Sequence, residues 1–261
     1  MMEQNKALTN EQLMTMAPSI FAERAHEKVS AKYNFIPTHT ILDGLRAEGW
    51  MPVKAVESRV NGEGPKGFQK HAITLRHGNQ KALDVGDAVI QCLLINSHDR
   101  SSGYQIHGGI FVKVCSNGLM ISEGSFDRIS IRHMGHSVAD VIEASYRIVS
   151  EAPAIGAVVK DMKATKLTEN QQLSLAGEAL KLKYENEAPI SAQQLLTAHR
   201  YADNKSDLWS VFNRVQENMI RGGLRGRTAT GRRMKTREVT AIGANVSLNK
   251  ALWALAESRI A

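Results

Sequence analysis

Between residues 50 and 135 the chain offers a run of strand-like segments with no helix-length pattern between them. "MPVKAVESRV" and "FQKHAITLRH" flank "NGEGPKG", a stretch of turn formers, and read as a hairpin. "DAVIQCLLINSHD" is an apolar run ending in a polar turn. "YQIHGGIFVKVCSNGLMIS" alternates and contains the turn signal Ser116–Asn117–Gly118. In "FDRISIRHMG", Ile129 and Ile131 face one way and Arg128, Ser130 and Arg132 the other. Consecutive strands joined by short turns restrict such a chain to an antiparallel sheet.

Helical periods stand on either side. Thr9 with Gln12 reads as a capping box opening the helix "NEQLMTMAP", and Pro18 interrupts or restarts it before "PSIFAERAHEKVS". Pro37 and Thr38 precede a further helix, whose Ile41, Leu42 and Leu45 share a face and whose stop is Gly49. From Ser137 the apolar spacing becomes helical again. One helix runs from there to a stop at Pro153, and one opens at Thr168. A third covers "SAQQLLTAHRYAD". A fourth is capped by Asp207 and stopped by Gly222–Gly223, and an amphipathic helix follows over "SLNKALWALAESRI". The fold class is therefore α+β, an antiparallel β-meander with N-terminal helices and a helical C-terminal half. A sheet region, 1–136, and a helical region, 137–261, are expected to form one integrated domain.

Charge is distributed very unevenly. The formal net charge is +7, and residues 221–237 carry all of it, with Arg221, Arg225, Arg227, Arg232, Arg233, Lys235 and Arg237 and no acid. Crowded cations displace condensed counterions together, so such a segment suits a polyanion better than diffuse basicity does. Arginine forks fit phosphate oxygens, and Gly222, Gly223, Gly226 and Gly231 let backbone amides approach the same anion. The plainer reading, a solvated loop, lacks the interspersed acids such loops carry. The segment reads as a flexible connector before the last helix, similar to the glycine–arginine stretches that bind single strands with little sequence preference.

Other groups could carry chemistry. His98, Asp99, His133 and His136 fall in turns and strand ends, and a metal-dependent nuclease would draw on them, although the nearby acids are sparse. Each histidine is also a plain candidate for a satisfied sheet or turn residue. Cys92 and Cys115 read as buried thiols of a cytoplasmic protein. Tyr33, Phe68 and Tyr104 are candidates for stacking on bases, whereas Trp50, Phe111, Trp209, Phe212 and Trp253 read as core. No Walker loop, nucleotide fingerprint or nucleophile elbow is present, and no cofactor is implied. The first ten residues have no apolar signal core, and no run of apolar residues is long enough to span a membrane.

The segments "NSHDRSSGYQIHGGIFVKVCSNGLMIS", "ISIRHMGHSVADVIEA", "LWSVFNRVQENMIRGGL" and "NVSLNKALWALAE" resemble a phage- and plasmid-borne domain family of unknown function. Its markers are V-C-x-N-G-L and N-x-x-Q-E-x-x-x-x-G-G, and the resemblance implies a mobile-element setting. "LRAEGWMPVKAVESRV" with "GFQKHAITLRH" is similar in style to ring-forming single-strand annealing proteins. Those proteins work without metal or nucleotide, and the likeness implies a basic groove in which Lys54, Arg59, Lys66, Lys70 and Arg76 join the arginine segment. The leading expectation is non-catalytic binding of single-stranded DNA, with homo-oligomers a possible form. The alternatives are the nuclease and an interaction protein that inhibits a host defence complex.

Overall fold

The computed structural model describes residues 7–29, 35–60, 62, 64–84, 88–112, 118–120, 129–131, 138–185 and 187–260. They form an α+β protein that divides into two compact units, one from 1–113 with 124–153, the other from 114–123 with 154–261. Among the described residues no helix is long and apolar enough to cross a membrane.

The first unit is built on a meander. Strands β1 (Trp50–Glu57), β2 (His71–His77), β3 (Ala88–Asn96) and β4 (Tyr104–Val112) pair in that order, each antiparallel to the next. The short β6 (Ile129–Ile131) pairs with β4, Tyr104 opposite Ile131. β3 is a nearly continuous apolar run because it is buried along both faces, with only Leu93 half-buried. Two helices precede the sheet. In α1 (Asn10–Met16) the Thr9–Gln12 capping box is closed in both directions. In α2 (Thr38–Ala47) Ile41, Leu42 and Leu45 are buried, and the chain leaves through Gly49 at φ +88°.

Over residues 18–29 the proline interrupts the helix, and only a 3-10 turn, Pro18–Phe21, forms. The backbone N–H and hydroxyl of Ser19 both donate to Glu57 Oε2, at 3.2 and 2.9 Å, and the His26 N–H donates to the His98 carbonyl. These tertiary partners outbid the intrahelical bonds.

That Ser19–Glu57 contact begins a buried polar relay. His71 and His98 are both fully buried, and their Nε2 atoms lie 2.9 and 3.1 Å from Thr38 Oγ1, which also accepts from Asn96 Nδ2. His71 Nδ1 faces the Gln69 carbonyl at 3.2 Å and Ser19 Oγ at 3.0 Å. A carbonyl only accepts and Ser19 spends its proton on Glu57, so Nδ1 must carry the hydrogen. His71 Nε2 is then a bare acceptor for the Thr38 hydroxyl, and His98 Nε2–H donates to the same oxygen. Each link is satisfied in one tautomeric arrangement, which fixes the 3-10 turn and the start of α2 to the sheet.

Departures from the expected helices lie further along. α3 (Val138–Ala164) continues through Pro153 instead of stopping there. Proline removes one helix bond, but the buried stripe Val141, Ala144, Ile148, Ala152, Ile155, Val159 and Met162 runs unbroken across it. In the second unit α4 (Glu169–Lys183) opens with a Thr168–Gln171 capping box, and α5 is only Ala192–Leu195. The expected longer helix fails because the Leu195 and Thr197 carbonyls both accept from Asn218 Nδ2.

α6 (Leu208–Arg221), capped by Asp207, is the second unit's axis: every residue from Leu208 to Ile220 is buried. Trp209 and Phe212 pack there with Trp253 of α7 (Ile242–Glu257), Phe212 meeting Trp253 edge-on at 5.9 Å. Its polar residues each hold a different neighbour. Gln216 donates to Asn249, Arg214 to Gln172 and the Lys205 carbonyl, and Glu217 pairs with Arg200 at 3.1 Å. The asparagine, glutamine and glutamate of the N-x-x-Q-E stretch therefore pack inside this unit. The short β5 (Gly118–Met120) belongs to the same unit and runs beside α7.

Candidate nucleic-acid interface

The basic segment is a folded hairpin, not a flexible connector. α6 ends at Gly222, φ +65°, where a Cβ would fall 2.7 Å from the Arg237 carbonyl group, so the outgoing and returning chains can pass only if a glycine stands there. The Gly223 N–H donates to the Thr236 carbonyl at 2.8 Å, and the Thr236 N–H returns a bond to Leu224 at 2.9 Å. β7 (Arg225–Arg227) then pairs with β8 (Arg233–Lys235). The turn is closed by the Thr228 N–H on the Arg232 carbonyl and by Arg227 Nη1 on the Gly231 carbonyl, both at 2.9 Å.

The register decides where the charges go. Arg225 stands opposite Lys235, and Arg227 opposite Arg233. Directly opposite residues share a face, as do residues two apart. All four cations therefore point the same way, and all four are exposed. Gly226 and Met234 occupy the other face. That face is docked: the Arg227 N–H donates to the Pro189 carbonyl at 2.9 Å, and Gln194 Nε2 to the Arg225 carbonyl at 2.8 Å. The opposing pairs sit roughly 5 Å apart between Cβ atoms, a spacing at which like charges destabilise a ribbon. Among the described residues, no carboxylate lies within ion-pair distance of Arg225, Arg227, Arg232, Arg233, Lys235 or Arg237. Arg221 differs, since it pairs with Glu217 at 3.5 Å from the last turn of α6. Arg232 and Arg237 flank the ribbon and are exposed.

Gly226 is the contact on which the docking depends. A Cβ there would stand 2.0 Å from the Pro189 oxygen, inside a backbone atom. Gly226→Ala is expected to lift the hairpin, with loss of the two docking hydrogen bonds and about 2 kcal/mol of stability. Hydrogen exchange checks this: the Arg227 amide should lose its protection while the amides of α6 keep theirs.

The sheet cations belong to the first unit. Lys54 is exposed and stands opposite Thr74, on the sheet face that also holds Arg76. Arg76 is half-buried and, with the Gln91 amide turned toward it, donates Nε and Nη2 at 2.8 Å. Arg59, Lys66 and Lys70 lie in the β1–β2 connection, where the Ser58 N–H holds the Lys70 carbonyl. Two of these five thus share a face, and three belong to a loop.

His98 is turned inward to Thr38, as described, and Asp99 accepts from the Ser101 N–H at 2.8 Å within the tight turn between β3 and β4. His133 and His136 lie outside the described residues, as do Tyr33 and Cys115. Among the described residues no three histidines, cysteines or acids gather in a way that could hold a metal. Cys92 is buried and its thiol is pushed up by that burial. Tyr104 is not available to a base: it is 1% exposed and its hydroxyl donates to the Ile36 carbonyl. Phe68 is half-buried, against His26.

Comparison with known proteins gives kinship without chemistry. Two Escherichia coli (strain K12) proteins, "UPF0380 protein YafZ" and "UPF0380 protein YfjQ", are each 38% identical to the chain, over 99% of its length and 93% of theirs. No solved structure matches it. The family described as "Domain of unknown function (DUF932)" matches residues 25–253, a span that takes in the meander, the buried relay apart from Ser19, and the cationic hairpin, and the chain belongs to that family.

Proposed function

We propose that this protein binds single-stranded nucleic acid, DNA foremost, along the outward face of the β7–β8 hairpin, and holds it for annealing or protection without cutting it. The observation that carries the reading is the register that sets Arg225, Arg227, Arg233 and Lys235 on one exposed face with no carboxylate partner among the described residues. The repulsion this arrangement costs is relieved when phosphates lie across it. The ribbon's back is occupied by Pro189, so it offers a surface and not a wedge. Readers of duplex grooves insert a helix or ribbon, whereas a single strand can bend to a surface.

Filter binding of a single strand across a salt series tests this. Four phosphate contacts predict a log–log slope of about −3, at roughly −0.7 per contact for single strands, with duplex of equal length bound less tightly. Failure to retain any strand in dilute buffer would remove the proposal. Manganese added to the same mixtures reads out the nuclease alternative by the appearance of cleaved product, and the mass of the complex gives the number of protein copies per strand.

A further inference from the structure

The second unit holds a cavity of about 450 Å³, within the range of small-ligand sites, whose wall includes part of α5. Gln194 of α5 holds the Arg225 carbonyl, and its neighbour Gln193 lines the cavity. Arg214, 7% exposed, also lines it. One of its nitrogens is fixed by Gln172 and the Lys205 carbonyl, both at 3.1 Å, while its buried Nε–H has no acceptor among the described residues. A buried donor in that condition gains from any acceptor that enters.

The charge balance says what kind of acceptor. Lys205 and Arg214 are offset by Glu169 in the lining and by Asp203 and Asp207, which lie close enough to favour the charged guanidinium. A phosphate gains little in such a place. The remaining lining suits a neutral, flat, hydrogen-bonding group: Leu173 and Leu196 give apolar wall, and the Gln193 and Asn204 amides offer both donors and acceptors. Tyr201 stands outside this lining, three residues before Asn204, whose N–H donates to its carbonyl, and is 95% exposed. An aromatic ring left in water is a stacking surface.

We propose that this cavity takes a nucleobase of the strand whose phosphates lie on the hairpin, with the exposed Tyr201 ring stacking on the same strand, an inference that rests on the nucleic-acid reading above. The hairpin then supplies sequence-independent attraction, and the cavity requires that the strand be unpaired, because a base inside a duplex cannot enter it.

The test uses the full chain and a deoxyribonucleotide dodecamer beside an abasic dodecamer of equal charge. The intact protein is expected to prefer the base-bearing strand by about 10-fold, the scale of one stacked base. The double variant Tyr201→Ala, Gln193→Leu, altered only at exposed positions, should lose that preference while keeping its affinity for the abasic strand and its salt slope. Equal affinity of the intact protein for both strands, or a preference that survives in the double variant, overturns the proposal. If neither strand binds, the hairpin reading has failed, and a titration with free nucleoside decides the cavity alone. Shifted amide resonances of Gln193 and Asn204 would support it, and unmoved ones would refute it.

Discussion

Replacing Arg225, Arg227, Arg233 and Lys235 together by alanine should lower single-strand affinity on the order of 100-fold in dilute salt and flatten the salt slope by about 3. The same variant should melt close to the parent, because the turn bond lost from Arg227 Nη1 to the Gly231 carbonyl offsets the repulsions removed. All four side chains are exposed, and none touches the docked face that holds Gly226 and Met234. Their removal deletes two cross-strand repulsions, each roughly 0.2–1 kcal/mol. A loss of binding at nearly unchanged stability separates a functional face from a structural one, because a structural role would lower both. Unchanged binding in the variant would dismiss the hairpin as the contact surface. Arg221→Ala serves as the internal control, since its charge is already answered by Glu217 and its effect should be small.

The second large effect concerns acid. Burial pushes the His71 imidazole down to about 4, well below its ordinary value of 6.5, with the Gln69 carbonyl and Asp99 opposing the fall. A histidine held neutral in the folded state contributes stability that is fully present above pH 6.5 and lost as pH falls toward 4, because the unfolded chain binds the proton first. The loss over that window is about 3 kcal/mol. The relay gives the cause. A proton on His71 Nε2 would turn that nitrogen into a donor facing the Thr38 hydroxyl, whose lone pairs are already taken by Asn96 and His98. Urea unfolding at pH 7 and pH 4.5 measures it in the intact chain and in His71→Gln. The variant should be less stable at pH 7 and show a clearly shallower decline. Parallel declines would mean that other groups carry the acid sensitivity.

Much of the architecture was legible because its signals are local. The Thr9–Gln12 box, the stop at Gly49, the Asp207 cap and the Gly222–Gly223 exit are settled by neighbours a few residues away, and each stands where the sequence places it. The four long strands follow from alternation, or for β3 an apolar run, and from turn formers in the same way. What was not legible depends on distant partners. Nothing near Pro18 announces that Ser19 will be held by Glu57, nor does anything near Leu195 announce that Asn218 will take its carbonyl. Pro153 reads as a stop until the buried stripe is followed across it.

The candidate interface shows the same division. The seven cations are plain in the sequence, but their common face comes from a register set by the turn at Thr228–Arg232. A trace of it was present: cations alternate with glycine in Arg225–Gly226–Arg227 and with methionine in Arg233–Met234–Lys235, the period of a strand. The exposure of Tyr201 and the orphaned Arg214 nitrogen left no trace, because both depend on how α4, α5 and α6 come together.

Neither unit is a continuous stretch of chain. β5 falls between β4 and β6 in order, yet it is counted with the unit that otherwise begins at residue 154. A gene fragment coding for residues 154–261 would therefore deliver its product without β5. An exchange of one uninterrupted segment would not carry either unit in full without part of the other.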